Sequence, residues 1–231
     1  GRFEPGLIDG LPGPARFVVT HAIAPGTPLA WSARLKMHGE IKLGNWSPFR
    51  AEEVVTAGGS LVWAAVVSAK GLPIRGSDQV ATGRGSSTWK VLDLFSVMRA
   101  SGDDVTRSGA GRLHGELVAW LPTSLPFDAA SWQEAGPGQL HVRMKTTAVT
   151  LEFGQHGELK RIWFPRWGNP GGGAFGAANF GVLVDEERTF GGITVPTRIQ
   201  AGWYLDGSRD LTRFQKEGEF FRATIDAIEF Q

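Results

Sequence analysis

From Trp31 to Leu43 the odd positions read Trp, Ala, Leu, Met, Gly, Ile and Leu, while the even positions read Ser, Arg, Lys, His, Glu and Lys. Side chains of an extended chain point alternately to its two sides, so this split predicts a strand with one buried face. It places Trp31 in the core and His38 in water. Ser60 to Ser68 contains Leu61, Val62, Trp63, Val66 and Val67 with few polar interruptions, the pattern of a central strand covered on both faces. Leu72 to Arg84 reads as its hairpin partner. On one side of that partner Ile74, Gly76, Asp78, Val80, Thr82 and Arg84 follow one another, which predicts a cavity-lining face carrying one acid and one base.

The same alternation returns in Leu140, Val142 and Met144 and in Val149, Leu151 and Phe153. Gly154 to Glu158 supplies a turn, and a strand through Phe164 completes the hairpin. Ile193, Val195, Ile199, Ala201 and Trp203 form one further apolar face, and Phe221, Ala223, Ile225 and Ala227 another.

Helical spacing occupies three places. Residues 12–23 carry Pro14 in a first turn and Phe17, Val18, Ala22 and Ile23 on one side. Trp89 to Met98 and Gly109 to Leu121 read as a helical insert, the latter with Leu113, Leu117, Trp120 and Leu121 in phase and prolines at 122 and 126. Pro165 to Gly181, with Gly171, Gly172 and Gly173, reads as a mobile loop. Its Trp167, Phe175 and Phe180 make it a candidate lid over a ligand.

Together these elements predict a mainly β (α+β) fold. One domain spans residues 1–231, with a helical lead-in over 1–28, a helical insert over 89–121 and a Gly-rich loop over 165–181. The expected architecture is a single strongly curved antiparallel sheet or half-barrel of about nine to eleven strands, its concave face partly filled by the insert.

Charge and composition narrow the function classes. With 24 basic and 23 acidic side chains the net charge is +1, which gives no field for collecting nucleic-acid phosphates. There are no cysteines, hence no disulfide framework, thiolate nucleophile or cysteine-bound metal. The histidines at 21, 38, 114, 141 and 156 show no metal-ligand spacing. Neither a Walker loop, a G-x-G-x-x-G turn nor a G-x-S-x-G elbow is present. No metal and no cofactor are therefore expected. No apolar run reaches the ~18–20 residues of a membrane span. The chain opens at Gly1 rather than methionine, so the lack of a leader in the given sequence does not establish a cytoplasmic home, and the compartment stays open between cytoplasmic and periplasmic.

Nine tryptophans stand against one tyrosine. Trp31 and Trp203 belong to the core by their strand positions. Trp46, Trp120, Trp163 and Trp167 fall near turns or helix ends beside Arg50, Glu116, Arg161 and Arg166, where ligand-facing aromatics occur. Glu116 lies one helical turn before Trp120, and a carboxyl beside an indole can serve as acid or base; the competing use is a pair with Arg112 at i,i−4. Asp78 and Arg84 form either an ion pair or two anchors for a polar group.

His38-Gly39-Glu40 through Leu43-Gly44-x-Trp46-x-Pro48-Phe49, Gly71-Leu72-Pro73-Ile74-Arg75, Gly83-Arg84-Gly85-Ser86, Trp120-Leu121-Pro122-Thr123 and Val195-Pro196-Thr197 resemble an uncharacterised bacterial family of unknown function. The order of elements is also similar to the half-barrel of LolA-type lipoprotein carriers. The first resemblance implies no catalytic residues. The second implies a curved sheet with a ligand-sized concavity.

Two functions stay open. The first is binding of a hydrophobic or amphipathic small molecule in the concavity, with Trp46, Trp63, Trp120, Trp163 and Trp167 as walls and Asp78, Arg84 and Arg161 as anchors. The second is a cofactor-independent hydrolase, lyase or cyclase on an apolar substrate, with Glu116 as acid or base and Asp78 or a histidine as its partner. A partner protein pairing with an exposed sheet edge is a third use of the same fold.

Overall fold

The period-two pattern of residues 31–43 becomes β1 (Ser32–Leu43), in which Ala33, Leu35 and Met37 are buried and the residues between them face water. The computed structural model describes residues 1–231. Before β1 comes α1 (Gly13–Ala22), and after it a meander of β2 (Asn45–Thr56), β3 (Ser60–Ala69), β4 (Leu72–Ala81), β5 (Arg84–Val91) and β6 (Phe95–Ser101). Helix α2 (Asp103–Trp120) follows. A second meander contains β7 (Trp132–Gly136), β8 (Gln139–Met144), β9 (Thr147–Phe153), β10 (Leu159–Gly168), β11 (Gly176–Phe190), β12 (Ile193–Trp203) and β13 (Glu219–Phe230).

All 13 strands form one open, curved antiparallel sheet in the order β6-β5-β4-β3-β2-β1-β13-β12-β11-β10-β9-β8-β7. Each meander therefore makes one wing, and β1 pairs with β13 where the wings meet. The mainly β half-barrel architecture expected from the sequence is what the chain forms, with more strands than the nine to eleven anticipated. Helix α2 carries the chain from the β6 edge to the β7 edge and packs on β5 and β10 as it crosses. Its three interior glycines let it lie close: a Cβ at Gly109 would stand 2.8 Å from a Val80 methyl, and one at Gly115 only 2.6 Å from the Phe164 ring. Each costs about 1 kcal/mol of helix propensity relative to alanine, so close docking onto the sheet is what these positions serve.

Several sequence expectations need correction. Residues 89–98 are not helical but belong to the β5–β6 hairpin. Trp89, Leu92, Phe95 and Met98 recur every three residues, a spacing that a hairpin with a three-residue turn reproduces by chance. The segment 60–68 is covered on one face only, its even positions Val62 and Val66 being exposed. Residues 165–181 are not a free loop: they form the β10–β11 hairpin, paired from Gly168↔Gly176 to Trp163↔Gly181. Trp31 sits just outside β1 and is 64% exposed. In β13 a bulge at Asp226 moves Ala227 outward and Ile228 inward, as an extra residue in one strand must.

Candidate functional site

Five charged side chains gather beneath α2. Glu53 comes from β2, Asp78 from β4, Arg112 and Glu116 from α2, and Arg166 from β10, so both wings contribute. Arg112 is the hub. Its Nε donates to Glu116 at 2.6 Å, one terminal nitrogen donates to Asp78 at 3.1 Å, and the other lies 3.6 Å from Glu53. The i,i−4 use of Glu116 is thus realised, but inside the protein. Asp78 also accepts from Ser87 Oγ at 2.6 Å and from the Trp89 indole at 3.2 Å.

Three carboxyls against two guanidinium groups leave one negative charge too many for a buried site. Glu53, 1% exposed, resolves this: burial first, then the charge of Glu116 and a hydrogen bond to it, lift its pKa well above the usual carboxylate range against the pull of Arg112. The neutral form of Glu53 is therefore favoured beyond that of an ordinary carboxyl. Burial works to lower the Arg112 pKa, but Glu116, Glu53 and Asp78 outweigh it. Arg166 has no carboxylate within ion-pair distance; its Nε donates to the Ser108 carbonyl at 3.2 Å, and its guanidinium lies over the Phe180 ring. Burial and the nearby Arg112 push its pKa down to about 10.

These residues border two connected hollows between α2 and the sheet. One, of about 160 Å³, is enclosed by Glu53, Trp63, Glu116, Trp120, Phe164 and Phe180 with aliphatic neighbours. The other, of about 450 Å³, runs past Trp89, Ile74, Val97 and Met98. Ile41, Trp63, Asp78, Arg112 and Arg166 line both, so the hollows are compartments of one groove. Glu53 and Glu116 hydrogen-bond to each other, whereas the buried Trp63 indole nitrogen in its wall has no hydrogen-bond partner. The Trp120 indole, by contrast, is satisfied by the Pro196 carbonyl at 3.1 Å.

Of the residues singled out from the sequence, Trp63, Trp120, Asp78 and Glu116 meet in this groove. The others do not. Arg84 opens β5 on the exposed side and pairs with nothing at Asp78. Trp46 lies on the opposite face of β2 from Phe49, under the Arg222 guanidinium at 4.3 Å. Trp163 and Arg161 alternate with Ile162 and Phe164 and so point to the other face of β10. There Arg161 donates to the Asp206 and Ser208 carbonyls at 2.7 and 2.6 Å, and Trp163 borders a polar hollow with His141 and Asn179. Trp167 donates to Asp104 at 2.7 Å and carries Arg107 3.4 Å from its ring centre. That clamp ties the β10–β11 hairpin to the first turn of α2 and removes the lid reading; the segment serves as a wall through Arg166, Phe175 and Phe180.

Sequence reasoning missed Glu53 and the role of Arg166. The signal for Glu53 was present: Phe49, Ala51, Glu53 and Val55 hold alternate positions, and the other three are apolar. A carboxyl in step with a buried face is informative because such groups are rarely buried unpaired. No helix of the chain is long and apolar enough to cross a membrane.

Residues 1–215 match the model of a family of unknown function, DUF6544. No curated protein matches the chain. Among solved structures, the chain is similar to an outer membrane lipoprotein-sorting-type domain from Vibrio parahaemolyticus, with 9% identity and a TM-score of 0.44 over 94% of this chain and 91% of that one. It is also similar to a LolA superfamily protein from Nitrosomonas europaea, with 10% identity and a TM-score of 0.44 over 94% and 93%.

Proposed function

The chain belongs to the DUF6544 family, and from the groove itself we propose that it binds a hydrophobic or amphipathic small molecule between α2 and the sheet. The observation that carries this reading is a largely apolar groove wall that includes the unpartnered indole nitrogen of Trp63. Each buried polar group without a partner costs about 1–3 kcal/mol. A ligand with an apolar body and one or two hydrogen-bonding groups relieves that cost while filling the hollow. The anchors are then Glu53, Glu116, Arg166 and the Trp63 indole, in place of Arg84 and Arg161.

A second reading is favoured by one feature. Glu53, whose pKa is raised by burial, stands beside Glu116 in an apolar groove, and two carboxyls in unlike environments are how one becomes a general acid and its neighbour a base. Under this reading Glu116 keeps the acid/base role and Glu53, instead of Asp78, becomes its partner.

One experiment separates the readings. The purified chain is titrated with fatty acids, fatty alcohols and prenols while Trp63 and Trp120 report through intrinsic fluorescence, and native mass spectrometry identifies what co-purifies. Saturable quenching that Trp63→Phe abolishes supports the binding reading; no change with any lipophile and no adduct in the mass spectrum rejects it. Glu116→Gln distinguishes the enzyme: substrate is then retained intact where the wild type releases product.

A further inference from the structure

The β1–β6 wing ends on one side in three neighbouring turns. Leu43↔Asn45, Ala69↔Leu72 and Val91↔Phe95 close them, and Phe49↔Val67 and Ile74↔Val91 bring them side by side. Each presents large apolar side chains to water: Leu43 on the first, Leu72 on the second, and Leu92, Leu94 and Phe95 on the third. Leu94 is the most exposed of these, at 76%.

Each turn also carries a lysine within two residues of its leucine: Lys42, Lys70 and Lys90. Arg75 lies 3.4 Å from Asp93 and pairs with it, and Asp93 is the sole acid in segments 42–45, 69–75 and 90–97, so the three lysines are left without an acid in these segments. These tips thus concentrate positive charge in a chain whose total is only +1. The opposite ends of the same strands differ. There the turns read Ala57-Gly58-Gly59, Thr82-Gly83 and Ser101-Gly102, small or hydroxylic throughout, and the exposed Trp31 that precedes β1 lies against Gly58 with no lysine beside it in sequence.

Leu92 makes the exposure harder to treat as incidental. Leu92 and Asp93 have φ of 53° and 60°, the left-handed region where glycine or asparagine is the relaxed choice and a leucine is an outlier. Backbone strain is accepted here for a leucine side chain that stays 46% exposed.

We infer that this end of the sheet docks on a lipid bilayer with anionic headgroups. Leucine and phenylalanine on protruding turns enter the interfacial zone, and the lysines beside them meet the phosphates. A protein partner fits the tips less well, because interface cores are depleted of lysine and the apolar groups here are spread over three separate projections. Leu43 and Val97 also belong to the groove wall, so docking brings the wider compartment next to the lipid.

The chain contains no cysteine, so a single dye can be placed at will. Leu94→Cys and, at the opposite end, Ala81→Cys are labelled with a polarity-sensitive fluorophore and mixed with vesicles of phosphatidylcholine, alone or with phosphatidylglycerol. The expected result is a blue shift at position 94 only, with anionic vesicles only. Co-sedimentation of the unlabelled chain should weaken ~100-fold in K42Q/K70Q/K90Q, each lysine near the surface contributing about tenfold or less. It should also weaken in L92S/L94S/F95S, whose thermal melting stays that of the wild type. No binding to either vesicle, equal shifts at 81 and 94, or binding indifferent to both triple variants would overturn the proposal, as would light scattering that shows a dimer dissolved by L92S/L94S/F95S. Vesicle binding is read without any groove ligand, so its failure leaves the reading of the groove untouched.

Discussion

The two wings of the sheet follow the same strand grammar and end in different states. In the β7–β13 wing, Leu140, Leu151, Ile162, Phe164, Val195 and Ile199 are buried under α1 and α2. In the β1–β6 wing the cover thins towards the edge, and β6 has no buried residue at all. Alternation decides which side chains share a face, but only what packs on that face decides whether they leave water. The covered wing is scaffold. The thinly covered one supplies the groove's outer compartment and the apolar tips.

Arg112 is where that contrast is most easily broken, because from the helix that spans both wings it holds the carboxyls of the β1–β6 wing. Arg112→Met should leave Glu53, Asp78 and Glu116 without their shared cation and destabilise by about 3–5 kcal/mol in urea unfolding. A loss under 1 kcal/mol would mean that the wings do not depend on this hub. Gly115→Val comes next. Its added atoms meet the Phe164 ring, and overpacking of this kind typically costs about 1–3 kcal/mol, whereas the same change at exposed Gly171, which has open space, should have little effect.

The wings should also answer pH in opposite directions. Glu53 has a raised pKa, so its contribution is full below the ordinary value of 4.5 and is lost as pH rises through the folded-state value. His114, held by Thr147 Oγ1 at 2.8 Å beside the covered wing, has its pKa lowered by burial and by Lys145. Its contribution is present above 6.5 and lost as pH falls below that value. Stability curves for Glu53→Gln and His114→Asn should therefore diverge from the wild type at opposite ends of the pH range, and parallel curves would refute the assignment. The smallest expected effect is Val97→Ala on β6, within about 0.5 kcal/mol by urea unfolding, against about 0.5–1.5 kcal/mol for Ile162→Val in the covered wing.

What the sequence revealed follows the same division. Where one face is buried and the other wet, as in residues 31–43 or 140–153, period two reads directly as strand. It fails at 89–98 because both faces of that hairpin's outer strand are exposed, so no alternation exists to compete with an accidental three-residue spacing. The Gly-rich stretch failed differently: Gly171, Gly172 and Gly173 mark only the tip, and cross-strand pairing from Gly168 back to Trp163 is invisible locally. At the site, Glu116 and Trp120 were legible because they lie one turn apart. Arg166 was not, since its partners, Ser108 on α2 and Phe180 on the neighbouring strand, are distant in sequence and no local period links them. Trp46 and Trp163 were assigned by nearness to turns, which says nothing about which side of a strand they occupy.

The seam between the wings has a consequence for how the molecule comes into being. Ala33 pairs with Phe230, so the earliest strand finds one of its two neighbours only in the last. At the usual ribosomal pace of about 5–20 residues per second, that partner arrives on the order of ten seconds or more after β1 is made. Until then one edge of β1 lies open, and a nascent chain with such an edge is a natural client for holding factors.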